Sequence, residues 1–193
     1  MQGTDLDKLL RILVTADDES REAAARALAC FGSQAAKELV GLLANPESDA
    51  RWWASRALAE IGGHDVVLAL GDVLQDPDPD VRACAALALG RIRDGSAAPM
   101  LATSLADPSA FVAGIAADAL CLIGDAAVDA LTESLAAEDT HTRLLAVRAL
   151  SRIRSQRSIG PLFGLLEDPS YLVRYYAQEA LEALGVGMVL LAP

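Results

Sequence analysis

Lysine is almost missing from this chain. Lys8 and Lys37 are the only two in 193 residues, so the basic chemistry rests on arginine. Acidic residues outnumber basic ones 27 to 16, for a net charge of −11, and this argues against a nucleic-acid binder that needs a Lys/Arg surface. Cys30, Cys84 and Cys121 form no CxxC pair, and an odd count without framework spacing points to a reducing, intracellular setting. There are two histidines: His64 reads as a cap in an inter-helix loop, and His141 sits at a helix start. Neither has a carboxylate at ligand spacing, and no Gly-rich phosphate loop or Ser/His/Asp set stands out. No catalytic residue, metal or cofactor is therefore expected. The N-terminus lacks a basic segment followed by an apolar core, and no apolar run reaches membrane-spanning length. These absences describe a cytoplasmic protein with no membrane partner.

What the chain does have is a period. Arg21, Arg51, Arg82, Ala113, Arg143 and Arg174 recur at near-constant spacing. Six residues later come the pairs Ala27-Leu28, Ala57-Leu58, Ala88-Leu89, Ala119-Leu120, Ala149-Leu150 and Ala180-Leu181. A third marker falls at Phe31, Ile61, Ile92, Ile123, Ile153 and Leu184. Three markers in step over six copies define a repeat array, whose core grows lengthwise. The expected organisation is one domain over 1–193. Its repeats fall near 5–32, 33–62, 63–93, 94–124, 125–154 and 155–185, with 186–193 as a C-terminal cap or tail.

Each copy reads as two helices. In the third, Val81, Ala85, Ala88, Leu89 and Ile92 follow one helical face. Asp17, Asp78, Ser109, Asp139 and Ser170 stand where an N-cap is needed, four residues before the Arg marker. Pro46, Pro77, Pro108 and Pro169 sit one position earlier, where a helix cannot run through. Gly32, Gly62, Gly124 and Gly185 follow the helix as left-handed terminators. Apolar segments Leu39–Leu43, Val66–Leu74, Ala97–Leu105, Val128–Leu135 and Ile159–Leu166 supply the other helix of each pair, and a first such helix covers about Asp5–Val14. In the fourth copy Ala113-Gly114 replaces the Arg marker, and a mid-helix Gly costs about 1 kcal/mol relative to Ala.

DPDPDVRACAALALGRI, with its echoes DPSYLVRYYAQEALEALG and DPSAFVAGIAADALCLIG, resembles the HEAT-like repeats of the phycobilin-lyase type, from about Asp5 to Gly185. The resemblance implies an all-α, right-handed α-solenoid of about six helix pairs, with the Val-Arg helices lining a concave surface. It also implies that the repeat Arg bonds acidic and backbone groups of a neighbouring repeat. Members handle bilins, hydroxylate a modified lysine, or act as scaffolds. The hydroxylase branch needs paired His-Glu motifs, and the chain has no His-Glu dipeptide.

Residues that break the repeat carry its individuality. On a helix of 100° per residue the face opposite the core collects Trp52, Arg56, Leu87, Phe111, Asp118, Leu144, Arg148, Arg152, Tyr175 and Glu179, with Trp53 and Tyr176 at its edge. A repeat that only had to fold would place Ala, Glu or Lys there, so the aromatics point to a binding groove. For Trp53, Ile115, Leu145 and Tyr176 packing between repeats is an equal alternative. No Lys or Arg occurs from Asp94 to Thr142; then come Arg143, Arg148, Arg152, Arg154 and Arg157. Arg148 and Arg152 beside Tyr175 and Tyr176 suit a carboxylate or phosphate of a ligand, or an acidic side chain of a partner.

The function expected from this reading is a non-catalytic module that holds a protein or peptide in the groove, as a monomer or weak homodimer. Trp52, Trp53, Phe111, Tyr175 and Tyr176 would be anchors, with Arg56, Arg148 and Arg152 giving orientation. The alternative is a lyase-like bilin ligand stacked on the same aromatics, its propionates on Arg148 and Arg152.

Overall fold

The computed structural model describes residues 2–186, and every regular element among them is helical. The cap or tail expected at 186–193 lies, Val186 apart, outside the described residues. Backbone contacts divide the chain into two compact units, 1–97 and 98–193, each holding three helix pairs. The first contains α1 (Gln2–Thr15), α2 (Asp18–Leu28), α3 (Ser33–Leu42), α4 (Ser48–Ile61), α5 (His64–Val73) and α6 (Pro79–Ile92). The second contains α7 (Ala98–Thr103), α8 (Ala110–Ile123), α9 (Val128–Ser134), α10 (Thr140–Ile153), α11 (Ile159–Gly164) and α12 (Tyr171–Ala183). Short 3₁₀ turns extend several of them. The even-numbered helices carry the Arg and Ala-Leu markers.

Leucines at the repeat period form the core of each unit. On the even-numbered helices the marker leucines Leu28, Leu58, Leu89, Leu120, Leu150 and Leu181 are all at most 1% exposed. On the odd-numbered helices Leu39, Leu70, Leu101, Leu131 and Leu162 are fully buried at the same period. Burying each such side chain contributes roughly 1.5–3 kcal/mol. The small marker alanines let neighbouring helices approach closely, which is why the chain is Ala-rich and aromatic-poor.

Helix starts and stops follow the chemistry of the loops. Asp17, Asp78 and Asp139 accept hydrogen bonds from the amides of Ser20, Asp80 and Thr142. Ser109 and Ser170 hold the same N-cap position without a side-chain bond. Gly62 and Gly124 end their helices at φ +67° and +79° with ψ near the extended range, a combination side chains resist. In the third and fifth copies Arg93 and Arg154 adopt the left-handed αL conformation instead. His64 is the first residue of α5, not its cap; Gly63 precedes it, and its Nδ1 lies 3.9 Å from Asp94.

One stretch, Ala110–Ser134, is by length and composition apolar enough to cross a membrane, which the sequence reading did not register. The structure breaks it at Gly124 into two helices. α8 has 14 residues. At 1.5 Å per residue it spans about 21 Å, short of a hydrocarbon core of roughly 30 Å. Its Val112, Ala113, Ala116, Ala119 and Leu120 are fully buried within the protein.

Candidate binding face

The repeat arginines form clamps. Arg51 Nη1 donates to the carbonyls of Asn45 and Pro46 (2.9 and 3.0 Å) in the loop before its own helix. Its Nε and Nη2 grip both oxygens of Asp76 (2.6 and 2.8 Å), in the loop before the next even-numbered helix. Arg143 repeats the arrangement with Ala137, Glu138 and Asp168. Each clamp aspartate also accepts from the amide two residues on, Asp78 or Ser170. Burial pushes the Asp76 and Asp168 carboxyls up. The guanidinium fork and that amide outweigh burial, so both sit below the usual carboxylate range.

Two joints lack a clamp. Between α2 and α4 the aspartate position is Asn45, and Arg21 Nε is buried without a hydrogen-bond partner. Between α8 and α10 the arginine position is the buried Ala113, and the aspartate position is Ala137. The clamped pairs α4–α6 and α10–α12 pack on each other more extensively than α2–α4 and α8–α10.

In unit 1–97 the expected anchors are mostly consumed by the fold. Trp53 is 8% exposed, a correction to its expected role as a groove anchor. The large apolar ring at the edge position turns inward and packs. Trp52 is half-buried, edge-on to Trp53 at 4.8 Å, and its carbonyl accepts from Cys84 Sγ at 3.4 Å. Burial raises the Cys84 thiol to about 12, so it behaves as an apolar filler. Arg56 is not free to orient a ligand: Nη2 and Nη1 bond Glu22 and Glu60, both at 2.6 Å. Arg91 reaches the same Glu60 oxygen at 2.8 Å. The Arg56 hydrogen bond, then the charges of Arg91 and Arg56, hold Glu60 below its usual range despite its burial. Leu87 remains exposed.

Unit 98–193 keeps its even-numbered face open. A cleft of about 350 Å³ between α8 and α10 is lined by Phe111, Gly114, Ile115, Asp118, Leu145 and Arg148, with Arg152 at its rim. It lies at the joint without a clamp. Gly114 contributes to its size, since an added Cβ there would meet nothing within 4 Å. Phe111 is 61% exposed and Tyr175 51%. Leu145, by contrast, is buried, and Tyr176 and Leu144 are half-buried. Arg148 lies over the Tyr176 ring, 5.5 Å from its centroid, and Tyr176 stands edge-on to Tyr175 at 5.3 Å.

Arg152 is ion-paired with Asp118, and Arg157 with Asp125 and Asp129. The late arginines thus neutralise much of the acidic stretch before them. Glu179 is exposed and holds neither Arg148 nor Arg152. Tyr171, 69% exposed and stacked on Tyr175 at 6.5 Å, was missed by the helical-wheel reading because it lies one residue before the positions that reading scanned. Its i, i+4 relation to Tyr175 is the signal that exposes it.

The family model for HEAT repeats matches residues 6–72, 36–121 and 104–182. The chain belongs to the HEAT-repeat family, and its all-α architecture is of the α-solenoid class. No curated protein matches significantly. Among solved structures it is similar to an engineered protein, at 28% identity over 95% of this chain and 97% of that one, TM-score 0.51. The complex of CpcE and CpcF of phycocyanin lyase from Nostoc sp. PCC7120 matches at 24% identity, covering 93% and 77%, TM-score 0.55. The archaeal HEAT-like repeats protein from Thermococcus onnurineus NA1 matches at 16% identity, covering 93% and 80%, TM-score 0.62. At these identities the last two speak for the fold alone.

Proposed function

We propose that the protein is a binding module that holds a peptide or an extended segment of a protein partner on the even-numbered helices of unit 98–193. The observation that carries this is the open cleft between α8 and α10, with Phe111, Tyr171 and Tyr175 exposed and Arg148 over the Tyr176 ring rather than ion-paired. Exposed aromatic and Arg side chains around a cleft are the composition of interface hot spots. An isolated repeat has no folding reason to leave three rings in water.

The bilin alternative asks two guanidiniums to hold two propionates, and the Arg152–Asp118 pair disfavours it. Selection of a random peptide display library on the purified protein tests the proposal. Enriched peptides should bind the Phe111→Ser/Tyr175→Ser variant at least about tenfold more weakly, since hot-spot truncations cost about 2 kcal/mol or more. A control variant, Leu87→Ser, should bind normally. No enrichment, or peptides indifferent to the double variant, would defeat the proposal. A saturable absorbance change with free bilin, lost in the same variant, would favour the chromophore reading instead.

A further inference from the structure

The α8–α10 cleft differs from the rest of the molecule in one electrostatic respect. Among its charged lining residues, Asp118 and Arg152 cancel in an ion pair, while Arg148 has no carboxylate within ion-pair distance among the described residues. Arg148 is exposed, and its guanidinium lies over the Tyr176 ring. A guanidinium stacked on a ring is already oriented, so it loses less freedom on binding than a loose one. Phe111 and Ile115 on α8 and Leu145 on α10 supply the apolar part of the lining, and Gly114 leaves room beside them. The lining therefore carries one uncompensated positive charge next to an apolar wall.

We infer, building on the peptide-binding reading above, that this cleft recognises a single carboxylate carried beside an apolar side chain of the peptide. The carboxylate meets Arg148 and the apolar side chain enters between Phe111 and Leu145. Charge complementarity selects this occupant. A cation would find Arg148 and only a carboxylate already taken, and a run of anionic groups would meet one free guanidinium on a chain of net charge −11. The carboxylate can be a peptide's C-terminus or an acidic side chain, which share the same chemistry.

The test uses ¹⁵N-labelled full-length protein and three small probes: N-acetylphenylalanine, N-acetylphenylalaninamide and N-acetyl-Phe-Glu-amide. Shifts of amide resonances in α8 and α10 report binding. The expected result is that probes bearing a carboxylate move these resonances, and that the neutral amide binds about tenfold or more weakly. Arg148→Gln should abolish that preference, and Gly114→Leu, which fills the cleft, should abolish binding of all three. Preference for the first probe over the third assigns the C-terminus as source; the reverse assigns a side chain. Equal binding of acid and amide would overturn carboxylate recognition while leaving the peptide-binding reading intact. Failure of all three probes to move α8 and α10 would overturn the cleft as a ligand site. The display selection then decides separately whether peptides bind elsewhere on the face.

Discussion

The two units use the same helical face in opposite ways. In unit 1–97, Glu22, Arg56, Glu60 and Arg91 form a chain of ion pairs along the even-numbered helices, and Trp53 turns inward. In unit 98–193 the corresponding positions hold Gly114, Arg148, Arg152 and Ala183, of which Arg152 alone closes an ion pair, and the rings of Phe111, Tyr171 and Tyr175 stand in solvent. Both arrangements sit on the same pattern of buried marker leucines, repeated within each unit. The contrast shows that position on a repeat does not define a binding face; what matters is whether the neighbouring repeat supplies a partner for the outward side chain.

The comparison breaks most sharply at the clamps. Arg143→Ala leaves Asp168 buried without its counter-ion, a loss of about 3 kcal/mol or more by urea unfolding. The double change Arg143→Met/Asp168→Leu should recover much of it, because removing both charges leaves none unpaired. The clamps also predict acid sensitivity. Asp76 and Asp168 titrate below the usual range when folded, so the stability they contribute is fully present above about pH 4 and is lost as pH falls through their folded pKa values. Thermal melts of the double variant should show a flatter decline below that pH than the wild type; an unchanged decline would assign acid unfolding to other groups.

Smaller effects sharpen the contrast at the two joints without clamps. Asn45→Asp places a carboxylate where Arg21 Nε has no partner, and should add about 1 kcal/mol by completing a charge-assisted bond. The gain should vanish in an Arg21→Ala background. Gly114→Ala should add about 0.5–1 kcal/mol from helix propensity, since the new methyl meets no neighbour. Native-state hydrogen exchange along α8 would show slower opening. No gain would mean that a Gly at this site costs the folded protein nothing.

The repeat, the twelve helices among the described residues and the Arg markers were legible in the sequence because the Ala-Leu pair recurs in all six copies and the Arg in five. The clamp was expected only through the family resemblance; its trace in the sequence is that Arg51 and Asp76 stand as far apart as Arg143 and Asp168, which shows once two neighbouring repeats are read together. The candidate binding face was less legible. A helical wheel places Trp53 and Arg56 outward from a single helix, and it carries no information about the helix stacked beside it. Trp53 is covered by that packing, and Arg56 is claimed by a glutamate 34 residues upstream and another four downstream. Phe111 and Arg148 line the cleft where repeat 4 has Gly114, at which an added Cβ would meet nothing within 4 Å, and Tyr175 is exposed on α12.

The most direct test of the account is amide shift mapping of the ¹⁵N-labelled protein with a peptide enriched by selection. The account predicts perturbations concentrated on α8, α10 and α12, centred on Phe111, Arg148 and Tyr175, with α2, α4 and α6 unmoved. Perturbations centred on Trp52, Leu87 and the Arg56 ion pairs would contradict it, and would mean that the salt-bridged face opens to bind.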